Sequence, residues 1–364
     1  MKKILAVFGT RPEAIKMAPI IKQIELEKRF KPVVVVTGQH RDMLDQVLTI
    51  FDIKADYDLD IMKKSQSLSY ITASVLKGLC PILEKEKPSI VLVHGDTTTT
   101  LAASLASFYH QIPVGHVEAG LRTHDKYSPF PEEMNRVLTD RISEFYFAPT
   151  NASKANLLRE GIRDEKIFVT GNTAIDAMKY TLNKQEKNDK RAKSSKRIIL
   201  LTMHRRENQG YPMESTFQGV LKIAKNFSDV EIYFPVHKNP KVQSIAKKYF
   251  NNVPNIKMTD PLDVKEFHNM LSKSYLILTD SGGVQEEAPA LNVPVLVLRD
   301  STERPEGVEA GTLKLIGTDS ESVYENTRQL LTNKTTYLKM SNAINPYGTG
   351  KSSEMILKII GENI

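Results

Sequence analysis

Three acids carry the chemistry that this chain could perform: Asp96 in VHGDTTTT, Glu118 in HVEAGLRT and Glu132 in PFPEEMNR. Asp96 follows the apolar run 90–93 and Glu118 follows the run 114–117, and both runs read as buried parallel strands. In open α/β sheets ligands sit outside the carboxyl ends of the strands, so the three acids are expected to converge there. Carboxylates sharing one cleft repel, which raises the proton affinity of at least one and equips it as a proton donor or base. Each acid alone also suits a structural duty; Asp96, placed before four threonines, has the position of a helix cap.

A second set of residues suits a phosphorylated ligand. In TDSGGVQEE, two glycines after an apolar run let the chain pass close to a ligand where a helix begins. The Ser281 hydroxyl and the amides of Gly282 and Gly283 suit a diphosphate. Glu286 and Glu287 project about 100° apart on a helix, so one of them faces the pocket, where a carboxylate suits ribose hydroxyls. His204, Arg205 and Arg206 follow the run 197–202, and planar guanidinium groups there could neutralise a diphosphate. His237 lies in a similar place in PVHKNP. At the first turn, Gly9 and Thr10 are expected to turn their amides toward an anion, with Arg11 and Lys16 adding positive charge. Pro12 and Glu13 suit the first turn of the helix that follows.

The elements that must position these residues repeat an apolar run and a helical period. The first strand is read at 4–8, the second at 33–37, ending in Gly38-Gln39-His40, and a helix at 68–85 leads to 90–93. A polar, aperiodic stretch at 183–196 marks the best boundary. After it, runs at 197–202, 231–235, 275–279 and 293–298 imply a second parallel sheet covered by helices. The expected organisation is a domain at 1–182, a linker at 183–196, a domain at 197–348 and a closing helix within 349–364. That helix is expected to end at Gly361 and to bury an apolar face, with the first domain as the candidate partner.

Composition narrows the function further. The 364 residues are 40% hydrophobic and 26% charged, with no tryptophan, and the length suits two α/β domains. The stretch 184–197 holds seven of the Lys/Arg residues against Glu186 and Asp189, so most of the net charge of +7 is local. Without aromatics it reads as a solvated linker, not a nucleic-acid surface. Cys80 is alone among apolar residues and reads as a buried structural thiol in a reducing cytoplasm. The apolar run after Met1 stops at Gly9, so it is a strand and not a signal peptide, and no run suits a membrane span. No HExxH and no cysteine pair supports a zinc site, and GxGxxG does not occur. Gly350-Lys351-Ser352 looks like the end of a P-loop, but Asn345 stands where its first glycine belongs.

At these motifs the sequence resembles the non-hydrolysing UDP-N-acetylglucosamine 2-epimerases. GTRPEAIKMAP, GQHRDML, VHGDTTT, HVEAGLRT, PFPEEMNR, HRREN, PVHKNP, TDSGGVQEEAP and RDSTERPEG carry the match across nearly the whole chain. The resemblance implies an α/β, glycosyltransferase-B-like fold of two Rossmann-like domains, with the ligand between them, and a homodimer. It implies interconversion of UDP-GlcNAc and UDP-ManNAc by elimination of UDP to 2-acetamidoglucal and re-addition, without a cofactor, for cell-surface polysaccharide synthesis. By motif, Asp96, Glu118 and Glu132 form the acid–base set with His204 near the leaving group. Arg11, Lys16, Arg206, Ser281, Gly282 and Gly283 would hold phosphate, and Glu287 the ribose. Some bacterial relatives bind a second UDP-GlcNAc as activator; Gln39, Glu132, Arg205 and His237 match that pattern, whereas Ser65 and Thr349 depart from it. A glycosyltransferase, a hydrolysing epimerase and a non-enzymatic UDP-sugar sensor are the alternatives.

Overall fold

The computed structural model describes residues 1–38, 41–63, 66–186 and 196–364. Two compact units divide the chain: Met1–Tyr180 with Tyr347–Ile364, and Thr181–Pro346. In the first unit β1 (Lys2–Phe8), β2 (Phe30–Val36), β3 (Tyr57–Asp58), β4 (Ile90–His94), β5 (Val114–Val117), β6 (Phe145–Ala148) and β7 (Ile167–Val169) form one sheet. Its order is β3-β2-β1-β4-β5-β6-β7, and the pairings are parallel. The second unit repeats the plan with β8 (Arg197–Thr202), β9 (Val230–Pro235), β10 (Ile256–Thr259), β11 (Leu276–Thr279), β12 (Val295–Val297) and β13 (Leu313–Leu315). Its order is β10-β9-β8-β11-β12-β13, again parallel.

The central strands read as unbroken apolar runs because helices cover both faces of a parallel sheet. Ile4, Leu5, Val7 and Phe8 of β1, and Ile90 through Val93 of β4, are all fully buried. Leu5, Val7, Val91 and Val93 share a core with Val75 and Leu79 of the helix Leu68–Glu86 and with Ala102, Ala103 and Ala106 of the helix Thr98–Tyr109. The small residues of that second helix let it lie close to the sheet. In the second unit Phe217, Phe234 and Phe250 fill the equivalent space in tilted and edge-on contacts.

In both sheets the chain leaves the first strand in one direction and later returns on its other side. The reversal falls between β1 and β4 in the first unit and between β8 and β11 in the second. These are the topological switch points where open α/β sheets bind ligands.

Several local expectations change. Thr97, not Asp96, caps the helix Thr98–Tyr109, accepting from the Thr100 amide at 3.1 Å. This leaves the Asp96 side chain for other work. The final helix, Ser352–Asn363, runs through Gly361, whose main chain stays helical under the Arg29 guanidinium, and it packs against the helix Arg11–Leu26. Cys80 is half-buried, and burial pushes its thiol up. The expected linker lies mostly outside the described residues. Among the described residues, no helix is long and apolar enough to cross a membrane.

Candidate active site

The first switch point is closed from inside. Glu13 is 2% exposed, and its Oε2 accepts from the amides of Gly9 at 3.1 Å and Thr10 at 2.8 Å and from the Thr10 hydroxyl at 2.7 Å. Its Oε1 accepts from the hydroxyls of Thr97 at 2.7 Å and Thr100 at 3.1 Å. Burial pushes the Glu13 carboxyl up, and these hydrogen bonds oppose that rise. The expected anion-facing turn is therefore corrected: a carboxylate of the same helix occupies the Gly9 and Thr10 amides. The same carboxylate ties the turn after β1 to the turn after β4. Two of the four threonines thus brace the site, and a third, Thr99, meets Thr37 at the end of β2 at 3.1 Å.

Asp96 follows β4 after Gly95 and is half-buried. Its Oδ2 lies 3.0 Å from the Arg136 guanidinium, and its carbonyl accepts from Asn135 at 2.9 Å. Burial pushes the Asp96 carboxyl up; the Arg136 and Lys16 charges oppose this, while Glu118 and Glu132 add to it. Glu132 begins the helix Glu132–Ile142, which brings Asn135 and Arg136 to Asp96 one turn later. The three acids are thus gathered at one end of one sheet.

Glu118 follows β5 in a left-handed backbone conformation, φ 67°. Its Oε1 meets the Lys16 ammonium and the Asn172 amide, the latter at 3.0 Å. Its Oε2 lies 3.3 Å from Nε2 of His94, the last residue of β4. Lys16 therefore stands beside Glu118, a placement its motif alone did not indicate. Arg11 is half-buried at the start of the same helix.

Behind the acids runs a buried polar chain that the sequence reading missed. His116 Nδ1 meets Asp140 at 2.6 Å and its Nε2 meets the Gly95 carbonyl at 2.7 Å; both partners are acceptors. Arg122 bridges Asp140 at 2.7 Å and Glu160 at 2.6 Å, and these neighbours hold the Asp140 carboxyl below its ordinary value despite burial. Buried Glu133 accepts from the amides of Thr123 and His124. It fixes the irregular loop before Glu132. A histidine inside the apolar run 114–117 was the available signal.

In the second unit Asp280 takes the part that Glu13 plays in the first. It is fully buried, and its Oδ2 accepts from the amides of His204 at 2.9 Å and Arg205 at 2.8 Å and from Asn208 at 3.1 Å. This orients the turn after β8. The His204 ring is exposed and stacks on His237, with centroids 5.5 Å apart and planes at 13°. Burial and the neighbouring His204 push His237 down, and its Nδ1 accepts from the Asn239 amide at 3.1 Å. Arg206 is exposed, whereas Arg205 lies 3.4 Å from Glu207 and 3.5 Å from Glu303.

Ser281 stands at the N-cap position of the short helix Gly282–Glu287 without a side-chain capping bond, and its amide donates to the Thr279 hydroxyl at 2.9 Å. A side chain on Gly282 would press on the Arg304 guanidinium, 2.6 Å from the added carbon, whereas Gly283 faces open space. Arg304 is held at 2.7 Å by Glu286, and the adjacent Glu287 lies 3.9 Å from buried His268. Arg304, in the motif RDSTERPEG, was not singled out from sequence. Gln39 and Ser65 lie outside the described residues, and the Thr349 carbonyl accepts from Lys179. Among the described residues no group of His, Cys, Asp and Glu could hold a metal ion.

Comparison with known proteins agrees with this architecture. Residues 22–361 match the family model described as UDP-N-acetylglucosamine 2-epimerase. The chain is 55% identical to the UDP-N-acetylglucosamine 2-epimerase of Bacillus subtilis, over 98% of this chain and 94% of that protein. It is 49% identical to the Escherichia coli K12 protein of the same description, over 99% of each. Its fold superposes with a TM-score of 0.89 on the Neisseria meningitidis enzyme bound to UDP-GlcNAc, 48% identical, covering 99% of this chain and 100% of that one. A Rickettsia africae glycosyltransferase, 14% identical with a TM-score of 0.63 over 99% and 98% of the two chains, shares the fold alone. Two parallel sheets with their switch points at β1/β4 and β8/β11, together with identity at this level over the full length, show that the chain belongs to the UDP-N-acetylglucosamine 2-epimerase family.

Proposed function

We propose that the chain interconverts UDP-GlcNAc and UDP-ManNAc by eliminating UDP and adding it back. The forward step breaks the C2–H and C1–O bonds and forms the C1=C2 bond of 2-acetamidoglucal. The proton goes to a carboxylate and the electron pair of the C1–O bond leaves with UDP. Re-addition with protonation on the other face of C2 gives the epimer. Atoms and charge balance without a redox cofactor.

The observation that carries this reading is the gathering of Asp96, Glu118 and Glu132 at one end of one sheet in unequal surroundings. Asp96 is pushed up by burial, which suits it to carry a proton, while Glu118 lies against Lys16 and Asn172. An elimination needs one group to accept a proton and one to donate it, and carboxylates in different surroundings can divide those parts. His204, Arg206, Ser281, Gly282, Gly283 and Glu287 are assigned to UDP, with Arg11 assisting at the first turn. Lys16 is assigned to the substrate side of Glu118. Gln39, Arg205 and His237 are assigned to any activating second ligand. We assign the enzyme to the cytoplasm, as a homodimer, supplying an activated amino sugar for surface polysaccharide.

Incubation with UDP-GlcNAc in deuterium oxide tests the reading. UDP-ManNAc carrying deuterium at C2 is the expected product. Free ManNAc with UDP would indicate a hydrolysing enzyme, transfer to an added acceptor would indicate a glycosyltransferase, and binding without turnover or exchange would indicate a sensor.

A further inference from the structure

His116 lies inside the apolar run of β5, is fully buried, and has no part in the roles assigned above. Its Nδ1 meets Asp140 Oδ1 at 2.6 Å and its Nε2 meets the Gly95 carbonyl at 2.7 Å. A carbonyl only accepts, so Nε2 is a donor. The other oxygen of Asp140, Oδ2, accepts from the Arg122 guanidinium at 2.7 Å and from the Gly120 amide at 3.3 Å, the contacts of an ionised carboxylate. Nδ1 is then a donor as well. A ring that donates from both nitrogens is an imidazolium. The charges close on the same count: His116 and Arg122 stand against Asp140 and Glu160, and buried charges persist where they are paired.

This pair is tied to the main chain beside each of the three acids. Gly95 precedes Asp96; its amide donates to the Val117 carbonyl at 3.0 Å and its carbonyl accepts from His116, so the turn is held from both sides. Gly120 lies two residues after Glu118 and donates its amide to Asp140. Asp140 belongs to the helix Glu132–Ile142, whose first residue is Glu132. We propose that His116 is a positioning residue: its imidazolium, clamped between Asp140 and the Gly95 carbonyl, fixes where Asp96 stands relative to Glu118 and Glu132. The inference rests on the acid–base roles proposed above.

The groups facing His116 are Asp140 from the helix Glu132–Ile142, Arg122 from the loop after β5, and His94 from β4. Glu160 stands behind Arg122, and the Tyr146 hydroxyl of β6 donates to the Asp140 carbonyl at 2.8 Å. All of them remain in the variants that test the proposal. An Asn amide nitrogen reaches the place of Nδ1, and a Gln amide nitrogen reaches that of Nε2. His116→Asn therefore keeps a donor toward Asp140 and releases the Gly95 carbonyl, whereas His116→Gln keeps the donor toward Gly95 and gives up that toward Asp140.

The test is kcat, KM and Tm for both variants and the wild type. Each variant forfeits one buried hydrogen bond and the ring's charge, so Tm should fall alike in the two. Turnover should not. His116→Asn should lower kcat about a hundredfold, the effect of a misplacement of about 1 Å, with KM changing less than kcat, and His116→Gln should recover most of that loss. Equal kcat in the two variants, or a lower kcat in Gln than in Asn, overturns the proposal. A second measurement depends on no variant's folding: 15N NMR of the wild-type protein at neutral pH should show protons on both ring nitrogens of His116. A bare nitrogen there overturns the proposal. A wild type that binds UDP-GlcNAc without turning it over would instead overturn the epimerase reading and leave the NMR result standing.

Discussion

Glu13 allows a quantitative test of how the first switch point is held. Replacement by Ala removes the acceptor of five donors. Three are threonine hydroxyls, which can rotate toward other acceptors; that of Thr100 already lies 2.6 Å from the His94 carbonyl. The amides of Gly9 and Thr10 cannot rotate. Each buried amide left unpaired costs about 1–3 kcal/mol. Glu13→Ala should therefore destabilise the first unit by about 4 kcal/mol, near 10 °C in Tm for a unit of this size. Glu13→Gln should behave differently. Its amide oxygen can face the two main-chain amides while its NH2 group donates to Thr97 and Thr100, so the loss should stay within about 1 kcal/mol. The pH dependence has a definite sign. Burial raises the Glu13 carboxyl above its ordinary 4.5, so the stability from its protonated form is full below about 4.5 and fades as pH rises through the folded value. Gln cannot ionise, so wild type should lose ground against Glu13→Gln over that rise. Urea unfolding of each variant between pH 4 and 8, with calorimetry for Tm, measures both effects. Glu13→Ala within 1 kcal/mol of wild type, or Gln as damaging as Ala, would refute the closed-turn account.

Other outcomes follow from the same geometry. Asp96→Asn, Glu118→Gln and Glu132→Gln should each lower kcat far more than they weaken UDP binding by calorimetry; near-normal turnover in all three would remove the acid–base assignment. Gly282→Ala should displace the Arg304 guanidinium from Glu286 and weaken UDP binding, while Gly283→Ala, facing open space, should leave Tm unchanged. Glu303 is held down to about 2 by its bidentate pairing with Arg299, at 2.8 and 3.0 Å, against the cost of burial. Its contribution is therefore present above about 4.5 and lost as pH falls toward 2, so Glu303→Gln should flatten the acid limb of the stability curve over that window.

The strands that carry the site were legible because burial on both faces writes a continuous apolar run, as in 90–93 and 114–117. Three of the four edge strands were not. β3 is two residues long, β13 is three, and β10 buries only Ile256 of its four residues, so none leaves a run to read. The acids at strand ends were legible for the same reason as the strands. The residues that brace them were not, because Glu13 meets Thr97 across 84 positions and Asp280 meets His204 across 76. In one dimension Glu13 is a dipole-favouring acid in a first helical turn, and Asp280 is one more polar residue before two glycines. Nothing local reports that Glu13 accepts the hydroxyls of Thr97 and Thr100, or that Asp280 accepts the main-chain amides of His204 and Arg205.

The paired carboxylates Glu13 and Asp280 have a consequence for ligand linkage. A turn that waits for phosphate leaves its amides exchanging with solvent and becomes ordered on binding. Here the chain supplies its own anion in both units, so these turns are finished at the end of folding. Ligand-induced stabilisation must then arise from side chains and from the short helix after Ser281. The amides of Gly9, Thr10, His204 and Arg205 should exchange slowly and to the same extent with and without UDP.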